Sequence, residues 1–188
     1  MTDGAADPFR QALGELGAAL SRVDPGAIDH ACTMLVGARR IGVHGCGREG
    51  LQMRGFAMRL FHLGLPVSVV GDMTMPALGQ DDVLLASSGP GETATVLTLM
   101  KAAHGARAQT LLVTAQPRAS AADLADFVLV IPAQTMADDR GAQRTSVLPM
   151  GSVFEGALFL LFEIMVLKLQ DRLGATPEAM RARHTNME

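Results

Sequence analysis

Five short apolar runs constrain this chain more than any other feature: "RIGVHGC" (40–46), "PVSVV" (66–70), "DVLLASS" (82–88), "QTLLVTA" (109–115) and "DFVLVIP" (126–132). Each is too short for a typical helix and is apolar throughout instead of alternating, the pattern of a strand covered on both faces. The stretches between them are long enough for crossover helices. Strands alternating with helices call for a parallel sheet, so the sequence predicts an α/β fold, a three-layer αβα sandwich.

The flanking segments fit this plan. Residues 8–23 and 25–38 carry helical spacing, and "DPGAIDHACTML" opens with Asp24 as N-cap and Pro25 at the first helical position. "ADDRGAQRTS" (137–146) has no periodicity and reads as a loop before a long last helix over 152–173 and a tail over 174–188. No repeat or linker marks a second domain. The expectation is one domain over 1–188, with two N-terminal helices in 8–38 and a sheet core in 40–132.

Charge and composition narrow the function. With 16 Lys and Arg against 19 Asp and Glu, the chain has no cationic excess with which to clamp a nucleic-acid backbone. It also lacks Trp and Tyr, the usual stacking surfaces for single strands. No basic-then-apolar leader opens the sequence. The most hydrophobic stretch, residues 153–169, is interrupted by Glu155, Glu163 and Lys168, as suits a core or interface helix better than a membrane span. Cys32 and Cys46 form neither a metal pair nor a disulfide framework and read as reduced and buried. A cytoplasmic protein without nucleic-acid or membrane partners is expected. No His, Cys and carboxylate cluster has metal spacing, and no cofactor is expected.

Ligands of open parallel sheets bind at the carboxyl ends of the strands, where following helices point their N-terminal amides. Two turns stand out there. "VHGCGREG" (43–50) has three glycines but does not match G-x-G-x-x-G, which argues against a dinucleotide site. Gly47, Arg48 and Glu49 are its candidate ligand contacts. In "SSGPGETATV" (87–96), Ser88 and Thr93 offer hydroxyls, Gly89 and Gly91 permit unusual backbone angles, and the amides of Gly91, Glu92 and Thr93 open a helix. An anion or a polyol suits such a turn. Simple helix capping by Ser88 and Thr93 accounts for the same residues.

"GCGREGLQMRGFAMRLFHLG" (45–64), "SSGPGETATV", "PMGSVFE" (149–155) and "RARHTNME" (181–188) together resemble the sugar-isomerase (SIS) domain family, and within it the 6-phospho-3-hexuloisomerases. The resemblance covers nearly the whole chain. It implies a flavodoxin-like, five-stranded parallel sheet, a homo-oligomer, specifically a tetramer, and conversion of hex-3-ulose 6-phosphate to fructose 6-phosphate through an enediolate. It also implies that Glu155 is the catalytic base and that the tail carrying His184 folds over a neighbour's crevice. "SVFE" reads equally as a capping box, with Ser152 as N-cap and Glu155 reaching back. Arg48 and Arg59 are candidate contacts for substrate oxygens, although Arg59, on a helix, suits an intersubunit ion pair as well. His62 reads as an interface residue, and His44 as a core or crevice-floor residue.

Two positions depart from the family's pattern: Glu49 and Pro90 stand where serines of its phosphate pocket are usual. A carboxylate about 4 Å from a unit negative charge costs roughly 4 kcal/mol at an effective dielectric of about 20, and a dianion about doubles it. Proline also removes an N–H donor. Glu49 could swing outward toward Arg48 or Arg54, the phosphate could be held by a neighbouring subunit, or the ligand could be a sugar or hydroxy-ketone without phosphate. A non-catalytic, sugar-sensing module is a further alternative. The last helix, apolar around much of its circumference, predicts contact with a second chain.

Overall fold

In the computed structural model, which describes residues 7–187, the five apolar runs form five parallel strands. They are β1 (Ile41–Gly45), β2 (Val67–Val69), β3 (Val83–Ser87), β4 (Gln109–Thr114) and β5 (Phe127–Val130), in the order β2-β1-β3-β4-β5. Val43 lies beside Val69 on one side and Leu85 on the other, and Leu85 lies beside Leu111. Residues 1–6 and 188 of the expected domain lie outside the described residues.

The helices are α1 (Pro8–Leu20), α2 (Pro25–Gly37), α3 (Gly47–Leu63), α4 (Ala94–Gly105), the short α5 (Ser120–Asp123), α6 (Ser152–Leu173) and α7 (Pro177–Ala182). Asp7 and Asp24 cap α1 and α2, accepting from Phe9 N at 3.0 Å and Gly26 N at 2.8 Å. Single 3-10 turns at Gly141–Gln143 and Pro149–Gly151 interrupt the long connection before α6.

Alternate strand residues feed two separate cores. Val83, Leu85, Leu111 and Val113 pack with α2, α3 and α6, and Leu84, Ala86 and Leu112 pack with α4 and α5. Thus both faces are covered, which is why the strands are apolar throughout. Helix α1 packs on α6 and adds Ala19 to the first core. Phe56 of α3 stacks on Phe162 of α6 with ring centroids 4.2 Å apart, and Asp29 of α2 pairs with Lys168 and Arg172 of α6 at 3.0 and 2.8 Å.

Residues 149–173 include a window apolar enough to cross a membrane by length and composition, but half of that window is buried within the protein. Val153, Phe154, Leu158, Leu161 and Met165 lie in the core, so α6 is a core helix. Its other side leaves Phe159, Leu160, Ile164 and Leu167 exposed, and Met58 and Phe61 of α3 are exposed as well. Met58 and Phe159 line one groove between these two helices.

Candidate active site

The strand order reverses between β1 and β3. Helix α3 leaves β1 toward one face and α4 leaves β3 toward the other, which opens a crevice at the carboxyl ends of the two strands. Its volume is about 410 Å³. Cys46, Gly47, Arg48 and Glu49 line it from the β1–α3 corner, Pro90 and Thr93 from the β3–α4 corner, and Glu155 from α6. Thr135, Met136 and Ala137, just past β5, close the wall. Those three were not singled out in the sequence, though the strand-end rule applied to "DFVLVIP" would have reached them.

Each functional side chain is placed by local geometry. Gly47 adopts a φ of +55° as α3 begins, which turns Arg48 and Glu49 into the crevice mouth. The Arg48 guanidinium donates to Ser152 Oγ at 2.6 Å and to the carbonyl of Met150, and lies 3.1 Å from Glu155 Oε1. Met150 and Gly151 both have positive φ, 57° and 72°, so the chain turns sharply immediately before α6. The expected capping box does not form. Gly151 is the N-cap, Ser152 is already the first helical residue and donates to Pro149 O at 2.7 Å, and Glu155 is paired with Arg48.

Glu155 is therefore held from one side only. Its side chain is 14% exposed, and Oε2 is buried without a hydrogen-bond partner. Burial pushes its carboxyl above the ordinary value of 4.5, the nearby Glu49 charge adds to the rise, and Arg48 opposes it.

Glu49 does not swing outward. Both carboxylate oxygens lie 3.0 Å from Gly89 N, and Oε2 also accepts from Ser87 Oγ at 2.5 Å. Burial raises its pKa, while the bonds from Ser87 and Gly89 and the charge of Arg48 pull the other way. Several of the other turn groups bond to one another. Ser88 Oγ and Thr93 Oγ1 are 2.8 Å apart, Thr93 N points to Ser88 Oγ at 3.4 Å, and Gly91 N donates to Ser88 O at 3.0 Å. Thr93 is the N-cap of α4, as the capping reading of the turn has it, although its side chain makes no cap hydrogen bond. Gly91 is required on two counts: its φ is +72°, and a Cβ there would fall 2.3 Å from Ala119 Cβ.

Three predicted contacts lie elsewhere. Glu92 is exposed and caps α5, accepting from Ser120 N at 2.8 Å and Ser120 Oγ at 3.0 Å. Arg59 pairs with Glu163 at 3.2 Å in the α3–α6 groove, because its position on α3 faces α6 and not the helix start. His184 stacks against His62 with ring centroids 5.2 Å apart, at the opposite end of α3 from the crevice. At 1.5 Å per residue, the 17-residue α3 separates those ends by roughly 24 Å. Cys46, expected to be buried, is half-exposed in the crevice wall, and its sulfur lies 3.6 Å from His44 Nε2. His44 is half-buried, and its pKa is lowered by burial and by the charge of Arg54.

With this five-stranded parallel sheet and the crevice at its switch point, the chain belongs to the SIS domain family, whose model matches residues 34–160. Within that family it is similar to the 3-hexulose-6-phosphate isomerase of Mycobacterium gastri, 38% identical over 168 residues spanning 89% of this chain and 83% of the relative. It is 30% identical to the 3-hexulose-6-phosphate isomerase of Bacillus subtilis over 94% of this chain and 95% of the relative. The crystal structure of a hypothetical protein from Methanococcus jannaschii, which infers a molecular function of 3-hexulose-6-phosphate isomerase, superposes with a TM-score of 0.83. It is 25% identical and covers 96% of this chain and 98% of its own.

Proposed function

We propose that this chain works as a single-domain, cytoplasmic isomerase that converts hex-3-ulose 6-phosphate to fructose 6-phosphate, with Glu155 as the base. Moving a carbonyl along a sugar by one carbon requires removal of the proton next to it, a cis-enediolate, and return of the proton to the neighbouring carbon. The observation that carries the reading is Glu155 itself: a half-sequestered carboxylate lining the crevice, anchored through Oε1 and with Oε2 left unbonded. Arg48 fixes the carboxylate's direction and sets a positive charge beside the developing enediolate oxygens. The names of the curated relatives supply the substrate.

The test is a direct assay of hex-3-ulose 6-phosphate conversion, with solvent-deuterium incorporation at the carbon that loses its proton. Because the Glu155 carboxyl titrates above 4.5 and must be ionised to act, kcat/KM is expected to fall on the acid side with a midpoint above that value. An acid limb at or below 4.5 counts against Glu155 as the base.

The reading includes an oligomer, and a tetramer by resemblance, with His184 reaching the crevice of a neighbouring copy as a proton carrier for the sugar oxygens. Support comes from the exposed apolar residues of α3 and α6 and from the distance between His184 and the crevice of its own chain. Mixing inactive Glu155→Gln and His184→Ala proteins under exchange conditions is then expected to restore a measurable fraction of activity, since some mixed oligomers pair an intact glutamate with an intact histidine. Leu167→Glu is expected to shift the mass by light scattering toward smaller species and to abolish that rescue.

A further inference from the structure

The donors at the β3–α4 turn already hold an anion, and it belongs to the protein. Gly89 N and Ser87 Oγ are bound to Glu49, Pro90 has no N–H, Gly91 N is bound to Ser88 O, and the Ser88 and Thr93 hydroxyls are bound to each other. Among the described residues, the cation that lines the crevice is Arg48, and it is already bonded to Glu155, Ser152 and the Met150 carbonyl. A phosphate that uses the Gly89 amide therefore meets a carboxylate already on it, beside an arginine that is already engaged.

We propose that Glu49 makes entry of an anionic ligand group at this turn conditional on a proton: phosphate binds only as Glu49 takes up H⁺ from solvent and becomes a neutral acid. The protonated carboxyl donates its O–H to a phosphate oxygen, and the Gly89 amide is released to donate to the phosphate. One proton leaves solution for each ligand bound. This rests on the reading of the crevice as a sugar-phosphate site, and makes Glu49 its specificity-determining residue, favouring neutral or singly charged ligand ends over a phosphate dianion. The groups acting on Glu49 are Arg48 of its own helix, Glu155 of α6, and the uncharged Ser87 and Gly89 of the turn. Burial pushes the Glu49 pKa up, in the direction that makes proton uptake easier.

Calorimetry of fructose 6-phosphate binding in two buffers of different ionisation enthalpy counts the protons directly. Between pH 7 and 9 the wild type is expected to take up close to one proton per ligand and to lose up to tenfold in affinity per pH unit. Glu49→Gln and Glu49→Ser are expected to take up none and to bind with little pH dependence. A sugar 6-sulfate, whose charge is fixed over this range, is expected to show the same uptake with the wild type, which excludes the ligand's own titration as its source. No proton uptake by the wild type, or identical pH dependence in wild type and variants, overturns the proposal even if turnover is intact. Absence of both turnover and binding, in wild type and variants alike, overturns the isomerase reading and this proposal with it.

Discussion

Glu155→Gln is expected to lower kcat for hex-3-ulose 6-phosphate by about 10²- to 10⁴-fold, the usual contribution of a positioned general base, with KM changed only a few-fold. The amide is nearly the same shape as the carboxylate and keeps an oxygen for Arg48, so the crevice is retained while proton transfer is lost. Solvent-deuterium incorporation should fall in parallel with turnover, because both begin with the same proton abstraction. The thermal behaviour gives an independent check. A carboxyl whose folded-state pKa lies above its unfolded value holds more protons when folded, so stability declines as pH rises through the interval between the two values. The wild type is therefore expected to lose Tm relative to Glu155→Gln as pH rises from 4.5, by differential scanning fluorimetry. A variant that retains near-normal turnover removes Glu155 from the mechanism. A sugar-sensing module, by contrast, requires ligand binding to survive the substitution in a wild type that never turned over.

Gly151→Ala is expected to be the most damaging single methyl group in the protein. The added Cβ would lie 2.2 Å from Met136 N, 2.3 Å from Thr135 C and 2.8 Å from Thr135 Cα, all backbone, at a residue whose φ is +72°. Backbone strain of roughly 1–3 kcal/mol and overpacking of roughly 1–3 kcal/mol add to about 2–5 kcal/mol once some of the clash relaxes. At about 2–4 °C per kcal/mol for a chain of this size, Tm falls by roughly 4–20 °C. The relaxation carries a functional penalty, because Thr135–Ala137 form the crevice wall and Gly151 starts the helix that aims Glu155. Gly14 in α1 is the matched control. Nothing lies within 4 Å of its Cβ position, so Gly14→Ala is expected to leave activity unchanged and to stabilise by about 0.5–1 kcal/mol. Equal unfolding midpoints for Gly151→Ala and wild type would contradict the tight approach of α6 to the loop after β5.

The loop over 137–146 shows how a segment without periodicity is ordered from a distance. Glu15 of α1 accepts from Val147 N at 3.0 Å and from Ser146 Oγ, and Gln134 binds the carbonyls of Asp138 and Gln143 at 3.1 and 2.7 Å. The Glu15 partners are not recognisable as such in the sequence, because they join residues more than 130 positions apart.

What the sequence by itself determined were the local and periodic features: five parallel strands, the Asp24–Pro25 helix start, the long helix from Ser152, and the glycine corners at which Arg48, Glu49, Ser88 and Thr93 gather. Apolar period, capping and strand-end geometry act within a few residues or along a whole strand, so they survive reading in one dimension. Only the tertiary structure decided where the long polar side chains point. Glu49 turns in to Ser87 and Gly89, 38 and 40 residues away, Glu155 pairs with Arg48 instead of capping its own helix, and Arg59 meets Glu163 across the α3–α6 groove. A carboxylate or guanidinium has several rotamers of similar local energy, and the choice among them is made by partners that only the assembled layers bring within reach.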